Sequence, residues 1–304
     1  MLLHEMTLGI IFLSQAGVGF LGNFFLSFYI FTFFTSHRPR PTDTILAQLA
    51  LANAILLLSH GMPMAILYLK KQYFLGNAGC KIVFFLRRVS RGLSMNSTCL
   101  LSIFQAVIIS PSSSRLAKIK VRTPKFIRSS CLFCWILNII IEINGTACIT
   151  GSRNSNNSHK GGVDLLYCYW ENVLAEFVIL SSFRDLLLVG CMVWASNYMV
   201  FLLYGHHQRV QYIHSTSLSL KVSPDIRATH TILILVGTFI FAYCVSCSFV
   251  LYKVYVIQTN FWVMNVTTFI TLCFPTICPF LLIHRDTKIS SSCYASQWSK
   301  CLYL

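Results

Sequence analysis

Acidic side chains are scarce in this chain. Nine Asp and Glu stand against 24 Lys and Arg in 304 residues, for a formal net charge of +15. Charge of either sign is sparse as well, at 11% of residues, where a soluble domain carries about 25%. No low-complexity tract or long polar stretch breaks the chain, so residues 1–304 read as a single domain. The patterns G-x-S-x-G and H-E-x-x-H and a Gly-rich phosphate loop are all missing. An enzyme needs a nucleophile, base and stabiliser that converge, and nothing here supplies them; no cofactor or metal is implied. The basic residues are split among short segments, with no interleaved aromatic platform, which argues against nucleic acid as a partner. The first twenty residues contain no Lys or Arg, whereas a cleavable signal opens on a basic region. The opening apolar run is therefore expected to be a membrane span.

What the chain has is hydrocarbon. It is 55% hydrophobic, with a mean hydropathy of +0.65, a composition that places it among membrane proteins. A spanning helix needs about 20 mostly apolar residues. Seven runs qualify, at 8–34, 44–69, 80–109, 127–149, 174–204, 231–256 and 261–283. The expected fold is an all-α bundle of seven transmembrane helices. Lys and Arg in the connectors orient it. The segments after spans one, three and five and the C-terminal tail hold two, six, three and three, fourteen in all, against five in the opposite set. The richer side is the cytoplasmic one, with the N-terminus outside and the C-terminus inside, in a multi-pass membrane protein.

The sequon at Asn156 falls in the loop after the fourth span, on the expected outer side, and is the candidate glycosylation site. Those at Asn144 and Asn265 lie close to the membrane, and that at Asn96 lies within a span. Thirteen cysteines are present, mostly within spans. The CxxC pairs Cys131/Cys134 and Cys244/Cys247 read as small apolar residues on packed helices rather than as metal ligands. Cys80 lies at the outer end of the third span and Cys168 in the outer loop. Both face an oxidising space, and a bridge between them would hold the loop over the bundle; Cys148 is the competing partner.

Three arginines, Arg87, Arg88 and Arg91, sit inside the third span. At about 100° per residue, Arg91, Ser94, Thr98, Ser102 and Gln105 all fall within about 60° of Arg87, and Arg88 lies at the edge of that stripe. Such a stripe is costly against lipid and belongs inside the bundle. Arg87 lies seven residues beyond Cys80, about 10 Å along the helix. Glu142 in the fourth span and Arg184 and Asp185 in the fifth sit at comparable depth. Two readings follow. The arginines pair with Glu142 and Asp185 to lock helices together, or they leave net positive charge in a cavity. On the second reading Arg87, Arg88, Arg91, Ser94, Glu142 and Asp185 form a site for an anionic or strongly polar small molecule, since guanidinium is a bidentate donor to carboxylate and sulfate.

At this point the sequence resembles the rhodopsin-like receptors. Gly22-Asn23, the run Leu49-Ala50-Leu51-Ala52-Asn53, Trp135 and the Cys80/Cys168 pair match motifs of that superfamily. More specifically it resembles the vomeronasal type 1 pheromone receptors, through "CKIVFFLRRVSRGLSMNSTCLLSIFQAVIISPSSSRLAKIKVRTPKFI", "HHQRVQYIHSTSLSLKVSPDIRATHTILILV" and "CFPTICPFLLI". The resemblance implies a chemosensory receptor with a Cys80–Cys168 bridge. It also implies coupling to a heterotrimeric G protein of the inhibitory class through the cytoplasmic loops. Gln105, Arg115, Lys118, Lys120 and Arg209 are the residues expected to face that partner, and the basic ones also face anionic lipid. The chain departs from the wider superfamily at Phe104-Gln105-Ala106, at Cys278-Pro279-Phe280-Leu281-Leu282 and in a sixth span without proline. It departs from the narrower family at Arg184, where the resemblance leads one to expect proline. A decayed, non-signalling receptor, a bitter-taste-type receptor and a transporter are the alternatives; seven spans with no visible repeat argue against the last.

Overall fold

A computed structural model describes residues 2–36, 41–70, 75–110, 117–147, 149–150, 163–164, 168–170, 175–213, 224–255 and 261–285. Lipid offers no partner to backbone N–H and C=O groups, so each apolar run satisfies them internally as a helix. The first span is α1 (Leu2–Ser36). The second is built in three pieces: α2 (Pro41–Leu56), a π-helical turn (Leu57–Gly61) and α3 (Met62–Lys70). Spans three to seven are α4 (Asn77–Ile109), α5 (Ala117–Thr146), α6 (Ala175–Ile213), α7 (Pro224–Tyr255) and α8 (Phe261–Arg285). Six of these spans are long and apolar enough to cross a bilayer over their described residues, and α7 contributes the shorter apolar stretch Thr229–Val245. The result is a seven-helix membrane bundle.

Several helices run past the expected ends: α1 starts six residues before 8, α6 ends nine residues after 204 and α7 starts seven before 231. Helix α5 starts ten residues before the expected 127, taking in Lys118, Lys120 and Pro124. The charges mark where lipid ends, not where the helix does. The π-helical turn was not expected either. Pro63 follows it directly; it has no N–H for the Ser59 carbonyl, and its ring crowds that group. A widened turn, closed by the Met62 N–H on the Leu57 carbonyl, relieves the crowding.

Helix α4 is central. It packs against α2, α5, α6 and α7, and its polar stripe lies inside the bundle: Ser94, Thr98, Ser102 and Gln105 are all buried. The outward faces of α1 and α6 carry exposed Phe24, Phe28, Phe31, Leu186, Trp194 and Phe201, the apolar belt a helix presents to lipid. Where α4 begins, Cys80 is disulfide-bonded to Cys168, with Cα atoms 5.9 Å apart. Next to it lies a small antiparallel sheet, in the order β1 (Ile149–Thr150), β3 (Tyr169–Trp170), β2 (Val163–Asp164). This sheet is an addition to the expected all-helical fold. The loop it belongs to lies off the helix ends, where backbone groups must find partners in one another. Asn156 and Cys148 lie outside the described residues.

Candidate ligand cavity and its charge network

Five of the intramembrane charges, Arg88, Arg91, Glu142, Arg184 and Asp185, assemble into one chain of ion pairs across α4, α5 and α6. Arg88 Nε donates to Glu142 Oε2 at 2.8 Å, and Arg184 Nη1 donates to Glu142 Oε1 at 2.8 Å. Arg184 also donates through Nε and Nη2 to Asp185 Oδ1, at 3.0 and 2.8 Å. Arg91 Nη2 donates to Asp185 Oδ2 at 3.0 Å. Two neutral groups complete it: Ser181 Oγ accepts from Arg88 Nη2 at 2.6 Å and Asn138 Oδ1 from Arg184 Nη1 at 3.2 Å. Among the described residues, three guanidiniums share two carboxylates in this chain. Glu142 is fully buried, and Asp185 and Arg184 nearly so. Such charges are tolerated away from water only when paired and hydrogen-bonded.

Local sequence explains the convergence. Asn138 and Glu142 are four residues apart and share a face of α5; Ser181, Arg184 and Asp185 do the same on α6 through i, i+3 and i+4 spacing. Gly92 lets α5 approach. A Cβ at that position would overlap Asn138 Oδ1 and reach to 3.4 Å from Arg184 Nη1.

Beside the network lies a cavity of about 160 Å³. Arg87, Arg91 and Ser94 of α4 line it, with Leu56 and His60 of the second span. Phe239, Ala242, Tyr243 and Cys247 of α7 and Thr267, Thr271, Phe274 and Pro275 of α8 complete its lining. The π-helical turn carries His60 into this wall. Arg91 belongs to both structures: it faces the cavity, pairs with Asp185 and sits with its Cζ 5.6 Å from the Tyr243 ring centroid. Its side chain is 32% exposed, against 17% for Arg88 and 8% for Arg184. Ser94 Oγ donates to Asn53 Oδ1 at 2.7 Å, tying α4 to α2.

Of the residues singled out from sequence, Arg87, Arg91 and Ser94 line the cavity. Arg88, Glu142 and Asp185 are placed in the ion-pair chain behind it. The sequence reading missed Asn138, Ser181, His60 and Tyr243. The four-residue steps from Asn138 to Glu142 and from Ser181 to Asp185 were usable signals; His60 and Tyr243 carried none. At the opposite end of α4, Gln105 is buried instead of lying open at the surface: its amide donates to Thr229 Oγ1 of α7 at 3.3 Å. Ser110 and Tyr198 pair their hydroxyls at 3.1 Å, joining α4 to α6. Lys118 and Lys120 are on α5 and Arg209 on α6; Arg115 lies outside the described residues. Among those residues no cluster of His, Cys, Asp or Glu is disposed to hold a metal ion.

A seven-helix bundle with a disulfide at one end and a cavity lined by apolar side chains and two arginines is the architecture of a multi-pass membrane receptor. Residues 6–295 match the profile of the Vomeronasal organ pheromone receptor family. The chain is 40% identical over 299 residues to vomeronasal type-1 receptor 1 of Homo sapiens, covering 97% of this chain and 84% of that one. It is 40% identical over 288 residues to the human vomeronasal type-1 receptor 4, covering 93% and 95%. Against vomeronasal type-1 receptor 90 of Rattus norvegicus it is 36% identical over 244 residues, 78% of each chain. The chain belongs to the vomeronasal type-1 receptor family. It is a chemosensory G-protein-coupled receptor of the plasma membrane, not an enzyme.

Proposed function

We propose that this receptor binds an anionic small molecule in the cavity beside Arg91, in the outer half of the bundle, and signals to an inhibitory-class G protein at its inner loops. The observation that carries the reading is the wall of the cavity itself, where Arg87, Arg91 and Ser94 stand opposite the aromatic rings of α7 and α8. A ligand there touches α4, α7 and α8 together and favours whichever arrangement of them fits it best. The same helices are tied at their other ends by Gln105–Thr229 and, to α6, by Ser110–Tyr198. Loosening those ties opens the inner face, where Arg115, Lys118, Lys120 and Arg209 meet the G protein and anionic lipid.

Arg184 supports an intact receptor over a decayed one. A stray charge from mutational drift has no reason to meet both buried carboxylates, yet this one donates to each. The test is a panel of small carboxylates and sulfates applied to cells expressing the chain, read as inhibitory-class G-protein activation. A dose-dependent response that saturates is the expected result; accumulation of labelled compound with time and no G-protein response would mean a transporter instead.

A further inference from the structure

The cavity is small for a ligand site, and its size constrains what it takes. At about 160 Å³ it matches cavities that hold a single benzene ring. Its walls divide into two regions. One is apolar and aromatic, made by Leu56, Phe239, Phe274 and Pro275; the other is cationic, made by Arg87 and Arg91.

Arg91 is the guanidinium that the network can give up. Arg88 and Arg184 each hold Glu142, and Arg184 holds Asp185 through two nitrogens. When Arg91 turns from Asp185 to another anion, Asp185 therefore remains paired, and no carboxylate is stranded in the membrane. Arg91 is also the most exposed of the three and the one that reaches the cavity.

We infer that the cavity takes a single-ring organic anion, a carboxylate or sulfate about the size of benzoate, whose charged group binds Arg91 in place of Asp185 and whose ring lies among Phe239, Phe274 and Leu56. This rests on the reading of the cavity as the ligand site.

The test is direct binding to the purified full-length receptor. The probes are benzoate and phenyl sulfate, neutral benzamide and benzyl alcohol, and the two-ring anion naphthyl sulfate. The one-ring anions bind most tightly, and the neutral isosteres are about ten- to a hundred-fold weaker, the scale of one charged hydrogen-bonded contact. Arg91→Gln costs the anions the same factor and leaves the neutral compounds unchanged. Equal binding of benzamide and benzoate, tighter binding of naphthyl sulfate, or no binding of one-ring anions overturns the inference. Ala242→Phe, which fills the cavity, separates the two claims. If it abolishes the binding of whichever probes do bind, the site stands even where the ligand class fails. If it leaves that binding untouched, the site itself is wrong.

Discussion

Asn23 donates its side-chain N–H to the main-chain carbonyl of Pro275 at 2.8 Å. In an α-helix that carbonyl accepts from the residue four positions on, which here is Pro279, a residue with no N–H. The asparagine of α1 thus replaces the bond that a proline of α8 cannot make. Gly22 permits it, since a Cβ there would come within 3.0 Å of Pro279 Cγ. The Gly-Asn pair and the C-P-F-L-L segment are two halves of one contact between α1 and α8.

Asn23→Ala leaves the Pro275 carbonyl without that donor inside the membrane. The expected loss is about 1–3 kcal/mol, the desolvation cost of an unsatisfied buried polar group. It is measured as a lower thermal denaturation midpoint of the solubilised receptor. An unchanged midpoint would mean that the Asn23 bond contributes nothing.

Gly92→Ala sets a methyl group against Asn138 and pushes α5 off α4, pulling Glu142 away from Arg88 and Arg184. Surface expression is expected to fall several-fold, since overpacking a tight interface typically costs about 1–3 kcal/mol. The double variant Gly92→Ala/Asn138→Ala removes the overlap and recovers part of that loss. Flow cytometry of surface-labelled cells checks both.

Arg184→Pro returns the residue that the family resemblance leads one to expect. It leaves one guanidinium for each carboxylate, Arg88 with Glu142 and Arg91 with Asp185. Arg91 then has no substitute to leave behind, and anions compete for it less well. The dose–response curve for small anions is expected to move about ten-fold to higher concentration, with the receptor still at the cell surface. An unshifted curve would separate Arg184 from ligand binding.

Gln105→Ala removes the side-chain bond that ties α4 to α7 at Thr229. If that tie holds the inner face closed, ligand-independent G-protein activation rises, by roughly five-fold for a bond of about 1 kcal/mol. A fall in basal signalling, with surface level unchanged, would instead mark Gln105 as part of the active arrangement.

The spans, the central position of α4 and the burial of its polar stripe are legible in the sequence because both signals are periodic. A run of about 20 apolar residues has few other interpretations, and a polar row at helical spacing must face protein, not lipid. The division of labour among the arginines is not legible. Arg87 and Arg88 differ by one residue, and which one turns to the cavity depends on where α5 and α6 place their carboxylates. The π-helical turn is hidden for a related reason. Pro63 signals strain in the second span, but not that the chain resolves it by widening the turn rather than by kinking, nor that the widened turn carries a residue of the cavity wall, His60.

Arg91 is the group that meets the ligand, and the response of Arg91→Ala tests this most directly. G-protein activation by small carboxylates and sulfates is measured alongside the number of receptors at the cell surface. Loss of the response at an unchanged surface count is the predicted result. A response equal to that of the parent chain contradicts the account. So does disappearance from the surface, which would make Arg91 a structural clasp on Asp185 and nothing more.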